Sequence, residues 1–270
     1  MDPWRIASLG LRWSFAAYVG ILVAAPLIAV GWRAAVDGPA AFRTAVTDPG
    51  AVDAMLLSLG CGLIAALVNS VAGTAIAWWL VRWNVAGRGI IGALVDLPLA
   101  IPTLVAGLVL VALYGPQAMV GRALGAFGVE IAYARPGIVL ALLFVTLPFV
   151  VRAVEPVLME LDPAEEEAAY TLGASRFTVL RRILLPPLLP AVAAGAVQTF
   201  ARSVAEFGSI AAVSGNIPHR TLTAPVYVLG EVEAGNPGAA AAVSVVLLLI
   251  SVSLQPLASW LAHRAGGHRG

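Results

Sequence analysis

Long uncharged runs separated by short charged breaks dominate the chain, at a scale that fits lipid better than a soluble core. A helix crossing the hydrocarbon region of a bilayer needs about 20 mainly apolar residues. Twenty uncharged residues lie between Arg12 and Arg33, with Trp13 and Trp32 at the two ends where interfacial tryptophans belong. A second run of 28 extends from Ala54 to Val81. Together the runs predict six spans, at 13–32, 55–81, 90–114, 137–154, 190–213 and 238–262. The third contains Asp96, Pro98 and Pro102, the fourth Pro148 and Arg152, and the fifth Arg202 and Glu206. The fold class expected is an all-α integral membrane protein, one transmembrane domain over residues 1–270. The first run is long for the apolar region of a secretory signal.

Composition agrees. Of 270 residues, 60% are hydrophobic and 11% charged, less than half the charge of an ordinary soluble domain. All 16 basic side chains that are not histidine are arginines. Without lysine there is no Walker-type phosphate loop on this chain. A net charge of +1 gives no basic surface for nucleic acid. One cysteine, Cys61, excludes a disulfide framework, and His219, His263 and His268 have no partners at metal-ligand spacing. Cys61, Asn69 and Gln198 read as helix–helix contacts.

Arginine placement orients the chain. With both termini inside, Arg5, Arg12, Arg82, Arg88, Arg152, Arg176, Arg181, Arg182, Arg264 and Arg269 are cytoplasmic, ten in all. Five are outside: Arg33, Arg43, Arg122, Arg135 and Arg220. That asymmetry obeys the positive-inside rule and puts the loop 155–189 in the cytoplasm. Arg264 to Gly270 reads as a basic tail.

The loop 155–189 is patterned, not a linker. Asp162-Pro163 reads as an N-cap with proline at the first helical position, and Glu165 follows three residues after the cap. The helix can run to Leu172, where Gly173 supplies a left-handed stop. Ser175 caps a second helix, Arg176 to Leu185, expected to end before Pro186-Pro187. Such a knob is either a docking surface or an anchor lying on the headgroups. Glu165-Glu166-Glu167 favours docking, because the inner leaflet is itself negative.

Glu167-Ala168-Ala169, Gly173 and Ile183-Leu184-Leu185-Pro186, at these spacings, resemble the EAA loop of binding-protein-dependent ABC importer permeases. Val95-Asp96-Leu97-Pro98, Leu147-Pro148-Phe149, Phe200-Ala201-Arg202, Glu206-Phe207-Gly208 and Gly215-Asn216-Ile217-Pro218 are similar to the sulfate/thiosulfate branch, its T-type subunit most of all. The resemblance implies an ABC type I importer permease fold in a bacterial inner membrane, with Glu167, Ala168, Ala169, Gly173, Ile183, Leu185 and Pro186 coupling to an ATPase. It implies a second, W-type permease subunit in a heterodimer, a dimer of ATP-binding subunits carrying ATP and Mg, and a periplasmic or lipid-anchored sulfate-binding protein. No cofactor is expected on this chain itself. A glycine frequent before the fifth-span glutamate of that branch is Ala205 here. Molybdate or tungstate import is the neighbouring alternative.

Candidate anion-pathway or gate residues are Arg202, Glu206, Asp96, Asn216 and Arg220. Arg202 and Glu206 are four apart, hence on one helical face, as a gate beside the anion or as a structural pair. Asp96 reads as a helix cap or a gate residue. Asn216 and Arg220 are outer-loop donors for an anion or a docked protein, or ordinary solvated side chains. A self-sufficient secondary transporter is the competing class, with no internal repeat or carboxylate chain in its favour. No close carboxylate pair or Ser/His/Asp arrangement suggests an enzyme.

Overall fold

The computed structural model describes residues 3–83 and 87–266 and, among these, consists of helices joined by turns. In order they are α1 (Pro3–Ala35), α2 (Gly38–Thr47), α3 (Pro49–Arg82), α4 (Arg88–Ala100), α5 (Thr103–Tyr114), α6 (Met119–Gly125) and α7 (Arg135–Glu160). There follow α8 (Pro163–Thr171), α9 (Arg176–Val179), α10 (Leu185–Val204), α11 (Gly208–Val213), α12 (Ala224–Glu233) and α13 (Pro237–Gly266). His268 and Arg269 of the expected tail lie outside the described residues, whereas residues 264–266 continue α13. Five of the described helices are long and apolar enough to cross a membrane, and six crossings result if the bent pair α4–α5 is taken as one broken span.

Two predicted spans take a different form. The run at 90–114 predicts one kinked helix, but α4 and α5 meet at 108°. Pro102 disfavours helical backbone at Ile101, which turns extended at φ −87°, ψ 132°. The missing N–H of Pro102 then makes it a natural N-cap for α5. Arg88 at the start of α4 approaches Glu155 near the end of α7 at 3.8 Å, and α5 leads on to the opposite end, where α7 begins at Arg135.

The prolines at 186 and 187 predict a helix end before them, and the apolar pattern predicts a fifth span over 190–213. Instead the chain stays helical from Arg176 to Val204 and breaks at 205–207. A π-helical turn, Leu180–Leu184, explains how the prolines are tolerated. It ends with Leu185 N–H donating to the Leu180 carbonyl, five residues back, so Pro186 and Pro187 fall in the first turn of α10, where no backbone donor is needed. The expected loop 155–189 is correspondingly shortened at both ends, because α7 also continues through Pro156 to Glu160.

The core lies where α3, α7 and α10 meet. Val150 of α7 sits between two glycines: a β-carbon on Gly73 of α3 would lie 2.8 Å from Val150 Cβ, and one on Gly195 of α10 would lie 2.9 Å from Val150 Cα. Small residues let helices approach closely in lipid, where packing replaces the hydrophobic effect as the driving force. Asn69 Nδ2 on α3 donates to the Leu143 carbonyl (3.1 Å) and to Thr146 Oγ1 (3.0 Å) of α7, so that it acts as the expected interhelical contact. Cys61 is buried, as expected. Gln198 is not a helix contact: it is exposed and lines a crevice with Arg152 and Pro148. α1 packs along α13 and leaves Trp13, Ile21 and Leu22 exposed, a face suited to lipid or to a second subunit.

Candidate translocation site and coupling surface

At one end of the bundle, α8 is built as its sequence demands. The Asp162 carboxylate accepts from Ala164 N–H at 2.9 Å. Gly173, at φ +83°, closes the helix. Its N–H donates to the Tyr170 carbonyl, and Ala174 N–H donates to Ala169, the two reciprocal bonds of a Schellman motif. Ser175 Oγ accepts from Thr178 N–H at 3.2 Å and starts α9. Glu167, Ala168 and Gly173 are exposed, Ala169, Ile183 and Leu185 half-buried, and Pro186 exposed. Beside them Leu172 is 88% and Phe177 69% exposed, an apolar rim around the acidic residue.

Glu166, the neighbour of Glu167, points the other way, as the turn of one helical residue requires. Its carboxylate approaches Arg82 at the end of α3 at 2.7 Å, with both side chains largely buried. The approach is poorly directed for a hydrogen bond, and Arg82 Nε is buried without one. Arg82 also lies 5.7 Å from the centre of the Trp78 ring, a cation–π contact. This pair fastens α8 to a membrane helix. It escapes a reading of the sequence alone, although the alternation of Glu166 and Glu167 about the helix carries a signal for it.

Asp96 is neither N-cap nor free. It sits within α4 and pairs with Arg152 of α7, whose Nε donates to Asp96 Oδ1 at 2.8 Å and whose Nη2 contacts Asp96 Oδ2 and the Gly92 carbonyl. Arg152 Nη1 also contacts Glu155. One cation thus holds two carboxylates and clamps α4 to α7.

Arg202 and Glu206 do come together, with Nη1 and Oε2 2.6 Å apart. Glu206 is 1% exposed, and its second oxygen also acts. Oε1 accepts from Ser209 N–H (3.1 Å) and Ser209 Oγ (3.0 Å), capping α11 across the break. The pair therefore fixes where α10 ends and α11 begins. Ala205 fits this break at φ −88°, a value open to any residue, with its methyl exposed to an apolar groove. Glu206→Ala should lower the stability of the complex by about 2 kcal/mol, through loss of the cap and an uncompensated Arg202. Glu206→Gln, which can still accept from Ser209, should lose clearly less. Thermal unfolding of the two purified variants checks the order.

α11 is pressed against α5. A β-carbon on Gly107 would lie 2.4 Å from the Ser209 carbonyl oxygen, and one on Gly208 would lie 2.8 Å from Leu104 N. The two breaks in the bundle, at 101–102 and 205–207, are thereby locked to one another.

At the opposite end, Asn216 adopts φ +53° and uses its amide inside its own turn. Nδ2 donates to the Ala211 carbonyl (3.0 Å), and Oδ1 accepts from Ser214 Oγ (2.7 Å). It shapes the loop and leaves Arg220 as the exposed donor there. Arg135 Nε at the start of α7 donates to the Arg220 carbonyl at 3.0 Å, and His219 Nδ1 pairs with Asp53 Oδ2 at 2.7 Å. Tyr227 on α12 donates to Asp48 at 3.2 Å. Burial first, and then the charges of Glu231 and Asp48, push its phenol pKa upward, so it remains a donor.

The described residues thus form a bundle of long apolar helices with small-residue packing, two helix breaks and an exposed helical knob fastened to α3. The chain belongs to the family described as binding-protein-dependent transport system inner membrane component, which it matches over residues 58–266. Within that family it is 41% identical over 244 residues, 90% of this chain and 86% of the relative, to the probable sulfate transport system permease protein cysT of Nephroselmis olivacea. It is 38% identical over 255 residues, 93% of this chain and 92% of the relative, to the sulfate transport system permease protein CysT of Escherichia coli. Among solved structures, a bacterial ABC transporter involved in the import of the acidic polysaccharide alginate shares the fold, with a TM-score of 0.74 at 18% identity over 99% of this chain and 96% of that one. The same fold recurs at a TM-score of 0.75 and 18% identity, over 96% of each chain, in an alginate transporter complexed with its pentasaccharide-bound periplasmic protein.

Proposed function

We propose that this chain is the T-type permease subunit of an ATP-driven importer of sulfate and thiosulfate, resident in the inner membrane with both termini cytoplasmic. Its partners are a W-type permease chain, a dimer of ATP-binding subunits that carry ATP and Mg, and a solute-binding protein outside, periplasmic or lipid-anchored. What carries the reading is the helical knob around Glu167 and Gly173, exposed toward a partner on one side and tied to α3 through Glu166 and Arg82 on the other. A partner that moves α8 thereby moves a spanning helix. The identity with CysT relatives along nine-tenths of the chain supports the choice of anion.

Within the bundle the charges are arranged for passage. A hydrated dianion would be trapped by a strong, desolvated cationic site. Here Arg152 is balanced by Asp96 and Glu155, and Arg202 by Glu206. These residues gate the path by exchanging partners as the bundle opens alternately to each side. Co-purification tests the coupling surface: the ATP-binding subunit should be retained by the wild-type permease pair and lost on Leu172→Asp with Glu167→Ala. Retention at the wild-type level by that double variant would contradict the docking assignment.

A further inference from the structure

We propose that the outer crevice between α3 and α7 is an oxyanion site, where Arg135 and Arg220 receive the tetrahedral dianion before it moves inward. The assignment rests on the importer reading above and joins Arg135 to Arg220 in one site at the mouth of the crevice.

The crevice has a volume of about 530 Å³, ample for a sulfate with part of its water shell. Arg135, Arg220, His219 and Asp53 line it together. Asp53 is the one acid in the lining, and it is already turned to His219 at 2.7 Å. Neither arginine makes an ion pair among the described residues, in contrast to Arg152 and Arg202 deeper in the bundle. Arg135 is held in place by its single bond from Nε to the Arg220 carbonyl, which leaves its two terminal nitrogens to donate. Two guanidinium groups, each a planar fork, suit the oxygens of a tetrahedral anion. The start of α7, a 26-residue helix with no acidic residue in its first turn, adds the positive end of its dipole at the same place.

The shape supports a small anion over a flat protein contact. The lining follows α3 from Asp53 to Ile64, about 16 Å along the helix axis at the usual rise per residue. Below the arginines the walls are apolar, with Leu57, Ile64 and Val139. Positive charge at the mouth gathers the dianion, and an apolar depth does not retain it. Weak capture of that kind suits a transporter that must release its cargo.

The test uses the whole importer complex in proteoliposomes, with sulfate loaded on the binding protein. Arg135→Gln and Arg220→Gln should each lower maximal sulfate uptake about tenfold, the scale of one lost charge-assisted hydrogen bond. The amount of loaded binding protein needed for half-maximal uptake should not change, and its stimulation of ATP hydrolysis should persist, so that sulfate moved per ATP falls. Arg135→Lys and Arg220→Lys should recover part of the uptake, which also covers a glutamine variant that fails to assemble. A rise in the half-maximal concentration of binding protein with an unchanged maximal rate would overturn the proposal, because the arginines would then be docking an acidic surface of that protein. Uptake at the wild-type rate in both glutamine variants would overturn it as well. A wild-type complex that moves no sulfate would instead contradict the importer reading itself.

Discussion

Gly107→Ala should cut transport by more than tenfold, with a loss of about 1–3 kcal/mol in the stability of the assembled complex from overpacking. The added methyl would meet Ser209 Cα at 2.8 Å and its carbonyl oxygen at 2.4 Å, both backbone atoms that no rotamer change can move. The only relief is separation of α5 from α11. That separation would unlock the two helix breaks from one another and pull Ser209 away from the carboxylate of Glu206. Gly230→Ala is the matched control, since nothing lies within 4 Å of the methyl it would add. Uptake and thermal unfolding of both variants decide the matter, and equal behaviour would refute a tight α5–α11 contact.

Gly173→Val should uncouple the complex for a different reason. There is open space around a β-carbon at Gly173, so no steric clash arises with the rest of the protein. The cost is conformational, because φ +83° lies in the left-handed region and a side chain there costs about 1–2 kcal/mol, more when β-branched. Relaxing the glycine would break both closing bonds of the Schellman motif and re-aim Glu167 and Leu172. The permease should still fold and insert, because the core at Val150 is remote in sequence and structure. ATPase retention should fall sharply. Gly173→Asn, which tolerates left-handed backbone, should stay close to wild type. Equal retention by the valine and asparagine variants would show that the turn does not set the docking geometry.

Much of this is legible in the residues. Uncharged run lengths give the long apolar helices, and the Asp162, Gly173 and Ser175 signals give the caps of α8 and α9, because each acts within a few positions along the chain. Expectation and structure part where distant residues or backbone register decide. Pro186-Pro187 suggests a helix end, yet one π turn shifts the hydrogen-bond register and admits both prolines. Pro102 suggests a kink, but the two helices meet at 108°, with α11 packed on Gly107 and Thr103. Asp96 finds its partner in Arg152, 56 positions away, and Arg135 meets Arg220 across 85, pairings that spacing along one helix cannot reveal. Asn216 reads as an outward donor in the sequence, whereas a left-handed turn occupies its amide locally.

The most direct measurement is uptake of labelled sulfate into proteoliposomes holding the permease pair and its ATPase, with the binding protein outside and ATP within. Uptake should be saturable, require both ATP and the binding protein, compete with thiosulfate, and collapse in Gly173→Val. Uptake that proceeds without ATP and follows an imposed ion gradient would contradict it.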